Sequence, residues 1–288
     1  MISKVYFSST ITPEKVLELY RLLGRSLTGN IAIKVHSGED GNQNFLRPAF
    51  WKPVVDYTGG TIVECNTAYE GARNTTERHV ALFKKHGWSE MYPVDLLDAQ
   101  GPDLMLDIPG GKRIRKNFVG KDLANYHSCL VLSHFKGHPM GGYGGALKQL
   151  SIGFASAYGK AYIHGVGNPD NFWKSDRTQF LESMADAAGS VIDFFKGNIV
   201  YVNVMKNMSV DCDCCAKAED PCIADIGILV SADPVAIDQA CLDLVYACDD
   251  PGKAHLIERI ESRNGVHTVE AAATLGLGSR EYELITVE

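Results

Sequence analysis

The sequence predicts an α/β protein with a largely parallel sheet and helices on both faces. Two observations carry this expectation. Apolar strand-like runs alternate with segments of helical period along the whole chain, the pattern of a parallel sheet whose crossovers are helices. Polar, glycine-bearing loops follow the strand runs, where ligands gather in such folds. A strand over residues 5–8 opens the chain. Thr12 then caps a helix with Pro13 in its first turn, and Val16, Leu17, Tyr20 and Leu23 give it an apolar face. A strand over 30–35 leads into the polar loop 36–44 and a short helix around 48–57. A third strand, 61–65, precedes the loop 66–69 and a helix over 76–86. Residues 94–120 break the rhythm, with alternating apolar residues around Pro109-Gly110-Gly111 that read as a small hairpin.

The second half continues with a strand over 129–132 that ends at Ser133-His134, then a glycine-rich loop and a helix. Leu181, Met184, Ala188, Val191 and Phe195 mark one face of a long helix over 180–195. Strands follow at 199–204 and 226–230. Asp233-Pro234 pairs an N-cap with a first-turn proline and opens a helix through Asp238 and Leu242. Fainter helical patterns cover 256–261 and 269–275, and a last strand covers 282–287. There is no repeat and no low-complexity linker. The chain reads as a single domain, 1–288, which could divide into lobes at 1–125 and 126–288.

The composition narrows the function. Of 288 residues 45% are hydrophobic and 22% charged, which is globular rather than disordered. The net charge of -7 is the wrong sign for a nonspecific nucleic-acid binder, so no nucleic-acid partner is expected. No run reaches the ~20 apolar residues of a membrane span, and the N-terminus lacks a signal-peptide stretch. A cytoplasmic protein with no membrane partner is expected. The eight cysteines then read as thiols or metal ligands rather than disulfides.

Cys212, Cys214, Cys215 and Cys222 fall within the stretch Asp211-Cys-Asp-Cys-Cys…Pro221-Cys. Clustered thiolates bind soft metals, so zinc or an iron–sulfur cluster is the expected cofactor. Cys214 and Cys215 are adjacent, so three thiols, or three and a carboxylate, reach one metal more easily than all four. Cys65, Cys129, Cys241 and Cys248 sit among apolar residues and read as core. The other dense segment is Ser133-His134-Phe-Lys136-Gly-His138-Pro-Met-Gly141-Gly142-Tyr-Gly144-Gly145-Ala-Leu-Lys148. Its glycines permit close backbone approach, and amides at such a turn and helix start form an anion site. Gly141, Gly142, Gly144 and Gly145, with Lys160 downstream, are therefore candidates for holding a cofactor or anion. His134, Lys136, His138, Lys148 and His164 are the candidate catalytic groups, the histidines for proton transfer or metal and the lysines for charge neutralisation. The spacing is neither a P-loop nor GxGxxG. Glu39 and Asp40 read as solvated turn acids, or as a cation site or base, and Arg73 as a cap or an anion anchor. Trp51, Trp88 and Trp173 read as packing residues.

These residues carry a resemblance. The Ser133–Lys148 segment, Ser156 to Lys160, Asp211-Cys-Asp-Cys-Cys, and the run from Asp225 through Asp233-Pro-Val-Ala-Ile-Asp238-Gln-Ala look like the DUF362 family, as do Lys34-Val-His-Ser-Gly-Glu-Asp-Gly-Asn and Arg47-Pro. Members of that family are described as iron–sulfur centre proteins, which implies a cluster on the Cys212, Cys214, Cys215 loop. The added ferredoxin-like segment of many relatives is absent. A second, local similarity is to the lactate racemase family. His138, Lys148 and His164 match that family's acid/base histidine, cofactor-anchoring lysine and metal-binding histidine. The rest of that pattern is missing, so its nickel pincer nucleotide is not the cofactor expected.

Three functions follow as expectations. The first is redox or metal-assisted chemistry on a small anionic substrate, with an electron-transfer protein as partner. The second is a non-catalytic metal-dependent binding or sensor module. The third is a racemase- or isomerase-like enzyme using the His–Lys–His set.

Overall fold

Each strand expected from an apolar run joins one eight-stranded sheet in the computed structural model, which describes residues 2–288. The first half holds β1 (Ser3–Ser8), α1 (Pro13–Leu22), β2 (Ile31–Lys34), α2 (Lys52–Thr58), β3 (Thr61–Glu64), α3 (Thr76–Lys85), α4 (Trp88–Met91), β4 (Val94–Leu96), β5 (Leu104–Asp107) and β6 (Lys116–Val119). The second holds β7 (Ser128–His134), β8 (Lys136–His138), β9 (Gly142–Gly144), α5 (Ala146–Ser151), α6 (Ala157–His164), α7 (Arg177–Phe194), β10 (Ile199–Met205), β11 (Gly227–Ser231), α8 (Pro234–Ala247), α9 (Lys253–Ser262), α10 (His267–Thr274) and β12 (Tyr282–Thr286).

The sheet order is β12-β1-β11-β10-β7-β2-β3-β4. All of its strands are mutually parallel except β11, which runs antiparallel to both neighbours. Strand residues alternate between two cores. Ala32, Val131 and Tyr201 face α5, α7 and α8, while Ile33, Leu130 and Val202 face α1, α2 and α3. The caps read in the sequence are made. Thr12 accepts from the Lys15 amide, and Asp233 accepts from Val235 and Ala236 ahead of Pro234.

Three expectations need correction. The hairpin is β5–β6 alone, because Val94–Leu96 pairs with β3 at the sheet edge. The glycine-rich segment is not a plain loop but a second hairpin, β8–β9, ahead of α5. Trp51 and Trp88 are buried as expected, whereas Trp173 is 69% exposed.

The reversal of β11 places the site. β10 ends at Met205, the chain loops through residues 206–226, and β11 returns alongside β10. The cysteine loop is therefore a hairpin connection. It stands on the same rim as the loops that follow β2, β3 and β7.

Candidate functional site

The cysteine loop is sewn to the neighbouring loops by main-chain and buried side-chain bonds. The Glu39 amide donates to the Asp213 carbonyl at 2.8 Å, and the Gly137 amide to the Ser209 carbonyl at 2.8 Å. Asn42 Nδ2 donates to the Cys215 carbonyl at 2.8 Å, while its Oδ1 accepts from the Asn44 and Phe45 amides. Asp213 is buried between the two sulfur-bearing residues. Its carboxylate accepts from Lys136 Nζ at 2.7 Å and faces His134 Nδ1 at 2.9 Å. The other nitrogen of His134 meets the Lys206 carbonyl at 2.6 Å. His134 and Lys136, expected to be catalytic, are thus brackets for the loop, and neither lines the cavity described next.

The sulfurs of Cys212 and Cys214 and a ring nitrogen of His138 lie within 4.8 Å of one another. Lys148 Nζ is 3.7 Å from the Cys212 sulfur, and Cys214 Sγ is 3.9 Å from His138 Nε2. Burial opposes ionisation of Cys212. The Cys214 thiol, the Lys148 and Lys136 ammoniums and the His138 ring outweigh it and hold the thiol well below its usual range. Cys215, half-buried beside Cys214, is not one of these three groups. Cys222 does not join them: its thiol donates to the Met208 carbonyl.

Beside the sulfurs is a cavity of about 50 Å³. That is room for roughly three to five waters or a small organic acid, and too little for a nucleotide. Its wall includes His138, Lys148, Lys160, His164 and Cys214, all singled out from the sequence, with Lys34, His36, Glu64, Tyr69 and Arg73. The two histidines of the cavity wall carry opposite tautomers. Nδ1 of His138 accepts from the Met140 and Gly141 amides at 3.1 and 2.8 Å, which leaves the proton on Nε2. Nδ1 of His164 faces the Lys160 carbonyl at 2.7 Å and must carry the proton, so its Nε2 keeps a lone pair. His138 is set up to donate toward a thiolate rather than to ligate a metal. Burial, more than any charge, keeps both rings below the usual histidine range, His164 down to about 3.

The amide turn does hold an anion, but an internal one. Asp238 from α8 accepts from the Ala146 and Leu147 amides at 2.7 and 3.0 Å, from Asn203, and from the Tyr143 hydroxyl. Gly142 and Gly145 therefore serve close packing, and none of the four glycines lines the cavity. A Cβ on Gly145 would meet Asp238 Oδ1 at 2.4 Å, and one on Gly142 (φ +79°) would meet Gly265 Cα at 2.7 Å. Gly144 would be crowded by Lys148, and Gly141 by nothing closer than 3.5 Å. Gly145→Ala is expected to destabilise the fold by about 1–3 kcal/mol in urea unfolding, because the buried carboxylate must move. A variant as stable as wild type would show that α5 can shift freely. Lys160 donates to the Ala155 and Cys65 carbonyls and has no acidic hydrogen-bond partner.

Several site residues escaped the sequence reading. Lys34 and Glu64 end apolar strands and form a buried pair at 2.9 Å. A charge closing an apolar run was the signal that marked them. Glu39, expected to be solvated, is buried against Arg73 Nε at 3.1 Å, whereas Asp40 pairs with Lys85 near the surface. Cys65, Cys129 and Cys241 are buried as core, and Cys248 packs partly buried against it.

A family model described as a domain of unknown function, DUF362, matches residues 31–243. The chain belongs to the DUF362 family. The matched span holds every residue of the site described above, from Lys34 to Asp238. A search of curated proteins finds no match. Among solved structures, the chain is similar to the lactate racemase apoprotein from Thermoanaerobacterium thermosaccharolyticum, with 15% identity, a TM-score of 0.44, and coverage of 69% of this chain and 50% of that one. It is also similar to a protein from Thermotoga maritima, with 11% identity, a TM-score of 0.45, and coverage of 91% and 58%. The chain spans between half and three fifths of the length of these structures.

Proposed function

We propose that this DUF362 protein is a metal-dependent enzyme for a small anionic molecule, with Cys212 and Cys214 holding a soft metal or iron–sulfur centre beside the cavity. One observation carries the reading. Two sulfurs converge, one of them at the wall of a small cavity where Lys34, Arg73, Lys148 and Lys160 outnumber the one lining carboxylate, Glu64. Sulfur donors suit zinc or cluster iron, and Cys215, next to Cys214 in the loop and only half-buried, is the thiol available to add a third. The four-cysteine set is disfavoured by the position of Cys222. Such a centre supplies positive charge to a bound substrate or a route for one electron, in which case an electron-transfer protein is the partner. In this reading His138 donates its Nε2 proton toward the sulfurs, and Lys148 balances their charge. Among the described residues no helix is long and apolar enough to cross a membrane. Free thiols throughout fit the reducing cytoplasm.

The test is metal analysis with the visible spectrum of protein purified anaerobically after growth with iron and sulfide. Stoichiometric metal is expected, together with the broad absorbance of a thiolate-bound cluster or, for zinc, a colourless protein. Cys214→Ser should lose it. Wild-type protein with no stoichiometric metal sinks the reading, and tightly held zinc without turnover turns it into a sensor module.

A second reading is favoured by the tautomers. His138 offers a proton and His164 a lone pair across the same cavity, with Lys148 also on its wall, an arrangement that suits a racemase or isomerase. Intact-mass measurement on the same preparation separates the two, since a covalent adduct on Lys148 would favour the second.

A further inference from the structure

Beside the sulfurs the cavity wall carries three hydrogen-bond donors with no acceptor among the described residues. Arg73 is buried, with Nε on Glu39 at 3.1 Å and Nη2 on the Tyr69 hydroxyl oxygen at 3.2 Å. Its Nη1 has only His36 Nε2 at 3.4 Å and Glu64 Oε1 at 4.0 Å. Nδ1 of His36 accepts the Gly38 amide at 3.1 Å, so the neutral ring holds its proton on Nε2. That N–H and the guanidinium N–H face each other, donor against donor, and the 3.4 Å contact between them is not a hydrogen bond. The Tyr69 oxygen accepts from Arg73, and its own proton has no acceptor among the described residues. Glu64 does not serve the three: its Oε1 stays 4.0 Å from Nη1, beyond hydrogen-bond reach, and its oxygens take Lys34 at 2.9 Å and the Ser37 amide at 2.8 Å. His36, Tyr69 and Arg73 all line the cavity, as does Cys214.

Donors that converge on the wall of a small cavity without an acceptor are costly, most of all the buried Arg73 guanidinium, and an oxyanion is the group that relieves them. A planar carboxylate matches a guanidinium edge plus two neighbouring donors and fits the small cavity. We infer that Arg73, His36 and Tyr69 form a clamp for the carboxylate of a small organic acid, holding it beside the sulfurs of Cys212 and Cys214. The inference deepens the functional reading above and rests on it for the chemistry that follows binding. The clamp itself needs no metal.

Calorimetric titration of the full chain at fixed ionic strength tests this, with sodium acetate, sodium glycolate and inorganic phosphate as probes, before and after metal removal. Acetate and glycolate should saturate one site per chain, and phosphate should bind more weakly. Tyr69→Phe and His36→Leu should each weaken acetate about tenfold or more, because each removes one hydrogen bond to a charged group. His36→Gln, whose amide restores an N–H, should stay within about threefold of wild type. Circular dichroism melts confirm that each variant folds. The clamp is overturned if wild type shows no saturable carboxylate binding. It is equally overturned if phosphate binds more tightly, if Tyr69→Phe and His36→Leu keep full affinity, or if His36→Gln fails as badly as His36→Leu. Carboxylate binding by a protein that holds no metal would sink the metal reading and leave the clamp standing. Stoichiometric metal without carboxylate binding would do the reverse.

Discussion

Asp213→Ala should lower the stability of the folded protein by about 3–5 kcal/mol and abolish metal retention together. Among the described residues the carboxylate is the only acidic partner of Lys136, and it also faces His134, with all three side chains buried. Removing it strips a buried ammonium of its hydrogen-bonded carboxylate and leaves only the more distant Cys212 sulfur to offset the charge, the costly way to break a buried pair. Asp213 also stands between Cys212 and Cys214, so losing its two anchors frees the sulfur pair. Urea unfolding and metal analysis read the two effects. Adding Lys136→Met to Asp213→Ala should recover most of the stability, because no charge is then stranded, yet not the metal, because the loop still lacks its bracket. A single variant within about 1 kcal/mol of wild type would show that water reaches Lys136 and that the bracket is weak.

Mild acid should destabilise the protein steeply. Burial holds His79 and His164 down to about 3, well below their ordinary 6.5, and pushes His36 and His138 the same way. The folded rings stay neutral where unfolded ones take up protons. This stability is therefore whole above about pH 6.5 and is lost as pH falls toward 3. At pH 5 each of the first two accounts for about 2 kcal/mol, at about 1.4 kcal/mol per pH unit. Asp238 works the other way. Burial raises it to about 6, so protonation favours the folded form as pH drops through that value. Its opposing share at pH 5 is about 1.4 kcal/mol, too small to reverse the trend. The urea midpoint should fall clearly between pH 7 and pH 5, and His79→Gln should flatten the fall. Equal midpoints at the two pH values would mean that the rings are hydrated.

Much of this was legible in the chain. The periodicity of 30–35, 61–65, 129–132 and 199–204 located the sheet. The rule that loops at strand ends converge brought the cysteine loop to His138 and Lys148. The direction of β11 was not legible, since a connection of 21 residues can form either a crossover or a hairpin. The partner of the amide turn was hidden for a related reason. Asp238 lies 92 residues from the Ala146 amide, inside a helix that looked merely apolar. Nothing in the order of residues says that an anion site will be filled from within. Likewise His134 and His138 look alike in sequence, and only the acceptors around one ring and the amides around the other separate a bracket from a proton donor. Cys222 stood near enough along the chain to count as a ligand. The Met208 carbonyl, unseen in one dimension, claimed it.

The first strand lies between two of the last. β1 pairs with β11 on one side and with β12 on the other, through residues more than 200 positions away. During synthesis Val5 and its neighbours leave the ribosome long before either partner exists, and the cysteine hairpin cannot be braced until β11 has returned. The nascent chain must therefore keep an apolar ribbon unpaired through most of translation, a state prone to aggregation. Chaperone supply during expression, rather than the stability of the finished fold, should then set the yield of native protein.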